Sequence, residues 1–101
     1  MSDQRRQLTG ALEHIGGLLE QHIAQEPRWR LGAVEREVGA VEAHVSVGLA
    51  RSPAHIRFLL SRIEHGTTQI QVELVAKSRW CTRGLCFSRS GALLDAIAAQ
   101  L

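Results

Sequence analysis

Three groups of side chains in this 101-residue chain have the types and spacing to do chemistry. The stretch LARSPAHIRFLLSRIEHG, residues 49–66, collects His55, Arg57 and Arg62 with Ser52 and Ser61, all donors suited to phosphate oxygens and base edges. A second basic cluster follows, with Lys77, Arg79 and Arg83 around Trp80. Inside it, Cys81 and Cys86 stand close enough across a tight turn to oxidise or to share a metal. Structural zinc wants four ligands, so two reduced, inert thiols are the simpler reading. The alternative is a redox-responsive pair, its thiolates favoured by the flanking arginines.

Other chemistry finds no motif. His14, His22, His44, His55 and His65 fall into no HExxH or comparable ligand spacing, and the chain has no glycine-rich phosphate loop or GxSxG elbow. The expectation is therefore a protein that is not an enzyme and needs no cofactor or metal. Charge points instead to a partner. Residues 1–50 hold five Arg against seven Asp and Glu, whereas residues 51–101 hold seven Lys and Arg against three acids. A positive second half suits an anionic partner.

The elements that would position these residues follow from periodicity. Leu8, Leu12, Ile15, Leu19 and Ile23 make one helical stripe through the first segment, weakened at Gly16 and Gly17 by about 1 kcal/mol each relative to alanine. That stripe can pack on its own domain or on the same helix of a second chain, giving a homodimer. Leu31, Val34, Val38, Val41 and Val45 repeat the spacing and predict a second helix, valine-rich and so a poor helix former alone. In the quoted stretch, Ser52 is placed as an N-cap, Pro53 as the first helical residue and Gly66 as the stop, with Ile56, Leu59, Leu60 and Ile63 on one side. Phe58 then falls on the opposite, outward side.

After Gly66 the period becomes two. Ile70, Val72 and Leu74 alternate with Gln69, Gln71 and Glu73, the pattern of a half-buried strand. SRWCTRG reads as a turn and LCFS as a return strand, and Ser90 caps a final helix, GALLDAIAAQL. With 45% hydrophobic and 22% charged residues the chain suits one folded domain. It has no apolar run of membrane-spanning length and no signal-peptide core at MSDQRRQ, so no membrane is expected and the cytoplasm is the expected compartment.

The order helix, helix, short capped helix, strand, basic turn, strand, helix resembles the winged helix-turn-helix family of DNA-binding domains. The resemblance covers residues 40–101 and rests on VSVGLARSPAHIRFLLSRIEHG, with Val45, Leu49, Ile56, Leu59 and Ile63 at apolar positions and Gly66 ending the third helix. It continues through the hairpin and LCFSRSGALLDAI. It implies an α+β, mainly helical fold with a β-hairpin wing and flanking N- and C-terminal helices, divided as 1–30, 31–66, 67–89 and 90–101. It further implies a transcriptional regulator binding double-stranded DNA. Ser52, His55, Arg57, Phe58, Ser61 and Arg62 would touch DNA from the third helix, and Lys77, Arg79 and Arg83 from the wing. Two alternatives accompany this reading. A protein partner could dock on Phe58 without DNA being read, because exposed aromatics mark interfaces. A more compact helix-turn-helix could also sit one segment earlier, with Gly39 in its turn and Glu42, His44 and Ser46 outward.

Overall fold

Residues 54–60 settle the architecture. Ala54, Ile56, Phe58 and Leu60 are buried, while His55, Arg57 and Leu59 between them are half-buried. A period of two puts these sets on opposite faces of a strand. The computed structural model describes residues 4–46, 53–76 and 83–101. In chain order it contains β1 (Gln4–Thr9), α1 (Leu12–Gln25), β2 (Trp29–Glu35), β3 (Ala40–Val45), β4 (Ala54–Glu64), β5 (Thr67–Ala76) and α2 (Arg83–Ala98).

The strands form one antiparallel sheet in the order β1-β5-β4-β3-β2. Strands β2 to β5 follow one another as neighbours, and β1 joins the far side of β5. It follows that β1 and β2 run in the same direction at opposite edges, and α1 carries the chain back across the sheet between them. Ile15, Leu19 and Ile23 of α1 and Cys86, Leu93, Leu94 and Ile97 of α2 share one core with Val41, Ala43, Ile56, Phe58, Ile70 and Val72 of the sheet. Both helices therefore cover the same face. Arg6 of β1 reaches Asp95 of α2 in an ion pair at the rim of this core.

This α+β, sheet-dominated fold replaces the mainly helical winged helix-turn-helix expected above. The segment 53–65 is not a recognition helix: β4 is hydrogen-bonded to β3 on one side and β5 on the other. Its helical spacing arose only by counting Leu59 and Ile63 with Ile56 and Leu60. Leu59 points to the opposite face, and Ile63 is 42% exposed. Phe58, expected on the surface, is 0% exposed, with its ring centroid 6.0 Å from that of Trp29. The interface reading of Phe58 falls with it.

The segment 31–45 is likewise a hairpin rather than a helix. Stiff, β-branched valines suit a pleated surface better than a helix. A bulge between Leu31 and Val34 sets these two inward residues three apart, which imitates helical spacing inside a strand. Val38, counted in the same stripe, is 65% exposed in the β2–β3 turn. Gly39 closes that turn at φ +70°, where an added Cβ would collide with the Leu60 carbonyl oxygen, and its own carbonyl accepts the Leu60 N–H at 2.7 Å. It is a turn residue of a hairpin, not of a helix-turn-helix.

At the ends of the chain the boundaries move. Leu8 belongs to β1, so the first helix begins only at Leu12, and its stripe is consumed by the chain's own sheet rather than left for a second copy. The alternation of Ile70, Val72 and Leu74 does form a strand, but β5 pairs with β4 and β1 and not with LCFS. LCFS is helical, and Ser90 lies inside α2, where its buried hydroxyl donates to the Cys86 carbonyl at 2.9 Å. Such back-bonding satisfies a serine within a helix.

Two outcomes test this packing by chemical denaturation. Phe58→Ala should destabilise the protein by about 3–5 kcal/mol, the cost of emptying a buried aromatic site; a surface Phe58 would cost far less. Gly39→Ala should also destabilise, by more than about 1 kcal/mol, because alanine fits neither the backbone angle nor the space.

Candidate functional site on the open sheet face

Among the described residues no element covers the second face of the sheet, so its outward side chains must satisfy one another or water. Register aligns them in rows. Glu42, Arg57 and Glu73 stand side by side across β3, β4 and β5, and Arg30, His44 and His55 form the next row across β2, β3 and β4. Cross-strand neighbours of this kind interact directly.

The rows are bonded together through Glu42. Its carboxylate accepts from His55 Nε2 at 2.6 Å and lies 3.7 Å from Arg57 Nε, while Arg57 Nη1 lies 3.5 Å from Glu73. An ionised carboxylate can only accept, so His55 carries its proton on Nε2. The His44 and His55 rings stack with centroids 4.6 Å apart and planes at 20°. All four ladder partners are partly shielded, at 18–38% side-chain exposure, which makes these contacts firmer than fully hydrated pairs.

Beside this ladder, at the end where β2 begins and β3 finishes, lies a recess of about 160 Å³. Arg28, Arg30, His44 and Ser46 supply its polar lining, and Pro27, Trp29 and Pro53 its walls. The recess is held by the backbone. Ser46 N–H donates to the Arg28 carbonyl at 2.9 Å, and Trp29 N–H to the Glu26 carbonyl at 3.1 Å. The ring contact between Trp29 and Phe58 anchors the same corner to the core. Two arginines, a histidine and a serine lining one recess bring donor side chains suited to an anion to one place.

The residues expected to touch DNA are scattered by this architecture. His55 and Arg57 join the ladder, Phe58 faces the core, and Ser61 and Arg62 lie exposed farther along β4, with Arg62 3.7 Å from Glu13. Arg83 is the first residue of α2, and Cys86 is buried in it. Ser52, Lys77, Arg79 and Cys81 lie outside the described residues, and with them the proposed cysteine pair; the hairpin wing expected over 67–89 is replaced by β5, which pairs with β4 and β1, and by α2. Arg28 and Arg30 were missed altogether. Glu42, His44 and Ser46 were seen as outward residues, but on a helix; their i, i+2 spacing, repeated by His55 and Arg57, is the signal that places them on a strand face.

Among the described residues no three His, Cys, Asp or Glu side chains are grouped to hold a metal ion. Compared with known proteins, the chain matches no family model and no curated protein sequence.

The ladder makes a measurable claim. A double-mutant cycle of Glu42→Ala and His55→Ala should return a coupling energy of about 0.5–1 kcal/mol in denaturation experiments. Additive effects would show that the pair contributes nothing.

Proposed function

We propose that the protein is a non-catalytic binding domain for a phosphate-bearing partner, held at the corner between β2 and β3. The observation that carries this reading is the convergence of Arg28, Arg30, His44 and Ser46 on one recess. Guanidinium groups match phosphate oxygens in charge and in fork geometry, and the Ser46 hydroxyl adds a neutral donor. The walls are rigid because the backbone bonds and the Trp29 contact tie them to the sheet. A recess whose backbone is already in place needs little rearrangement on binding, which favours affinity.

An anionic partner is thus proposed again, but not on the half that sequence charge marked: Arg28, Arg30, His44 and Ser46 all lie within residues 1–50. No helix enters a groove; the phosphate comes to an edge of the sheet. Cytoplasmic placement belongs to the same proposal, since two cysteines in 101 residues cannot build a secreted disulfide scaffold. Among the described residues no helix is long and apolar enough to cross a membrane.

Phosphate can be presented by a small monoester or by a nucleic-acid backbone, and calorimetric titration separates them. Phenyl phosphate should bind, and Arg28→Gln and Arg30→Gln should each weaken it about tenfold, as expected for loss of a hydrogen bond to a charged group. A short duplex that binds steeply with falling salt, where phenyl phosphate does not, would assign the phosphate to nucleic acid. Binding of neither would overturn the proposal.

A further inference from the structure

β2 is an edge strand, and among the described residues no strand lies along its outer side. Which backbone groups face that side follows from the bonds on the inner one. Ser46 N–H donates to the Arg28 carbonyl, so Arg28 and, two residues on, Arg30 turn their polar groups toward β3, and those of Leu31 turn outward. At the far end the Gly39 carbonyl accepts the Leu60 N–H of β4. Ala40, the next residue, therefore turns toward its partner Glu35 in β2, which leaves Val34 outward. The outward groups of Leu31 and Val34 have no partner among the described residues.

The side chains of β2 match their own reverse. Arg30 and Glu35 stand on the open face, both exposed and neither in an ion pair among the described residues. Leu31 and Val34 stand on the core face, half-buried at the margin of the sheet. When a second β2 is laid antiparallel against the first so that Arg30 meets Glu35, Leu31 meets Val34 and Gly32 meets Ala33 at the two-fold axis. Symmetry makes each contact twice.

A regular strand could not pair in this way, because residues an odd number of places apart point to opposite faces. The bulge between Leu31 and Val34 removes the obstacle: it returns Val34 to the face of Leu31 and Glu35 to the face of Arg30. It also selects the partner. A bulge ordinarily blunts an edge against other strands, but a partner bulged at the same place restores the match. The other edge strand, β1, carries adjacent Arg5 and Arg6, a charge that discourages pairing with its own copy.

We infer that two copies of this chain associate through β2, joining two five-stranded sheets into one continuous antiparallel sheet with the helices of both copies on the same face. The homodimer expected of the α1 stripe is thus assigned to an edge strand. This association does not rest on the phosphate-binding corner and shares only Arg30 with it. A guanidinium has five donors, enough for a carboxylate on one edge and a phosphate on another.

Sedimentation equilibrium of the full chain in phosphate-free buffer, up to about 1 mM, decides the matter. The mass should rise from one chain to two with concentration. In amide hydrogen exchange Leu31 and Val34 should gain protection in step with the dimer, whereas Arg30, turned to β3, is already protected in the monomer. Arg30→Glu and Glu35→Arg should each weaken association about tenfold, because two attractions become two repulsions in the symmetric pair. Combining the two substitutions in one chain should restore it. Both positions are exposed, so the variants should keep the circular dichroism of the parent. A chain that stays monomeric, a dimer indifferent to the single changes, or a double variant no better than the singles would each overturn the inference.

Discussion

The fold depends on burying one face of one sheet. Phe58 sits near the centre of that face on the central strand β4, with Val41 and Val72 directly beside it on β3 and β5. The α1 stripe of Ile15, Leu19 and Ile23 and the α2 residues Leu94 and Ile97 close over the same surface. Each such side chain taken from water contributes about 1.5–3 kcal/mol, so this layer supplies most of the favourable free energy. Both helices are spent on it. The other face must then be polar, and its residues are free to be arranged for something besides stability.

The β2–β3 hairpin gives different charge to its two ends on that open face. β2 leaves the basic corner at Arg28 and Arg30 and arrives at Glu35, whose side chain shares the open face; β3 returns from Ala40 and Val41 to His44 and Ser46. Charge is therefore sorted along the length of one hairpin. A helical reading of the same residues distributes these side chains around a cylinder and hides the separation.

What could be read from the sequence depended on how cleanly each period stood out. β5 was legible because Ile70, Val72 and Leu74 alternate with three polar residues without interruption. α1 was legible through Ile15, Leu19 and Ile23, but its start was not, since Leu8 extends the helical spacing from within a strand. β4 concealed its alternation because Leu59 and Ile63 are apolar on the wrong side, and β2 because a bulge changed a step of two into a step of three. The basic side chains were noticed as a group, yet their meeting place depends on strand register. Arg30 stands beside His44, and His44 stacks on His55, only once the consecutive strands β2, β3 and β4 are paired in this register.

The position of β1 bears on how the molecule comes into being. Gln4 pairs with Val72 and Thr9 with Thr67, so β1, the first of the five strands in chain order, has no partner until β5 has been made. Closing so long a loop is slow compared with forming the local hairpins β2–β3 and β4–β5. During synthesis the order of assembly thus runs against the order of the sequence: the meander can form first, with α1 laid across it. Of the five strands β1 is then the one that waits longest, and it finishes the sheet by covering the bare edge of β5.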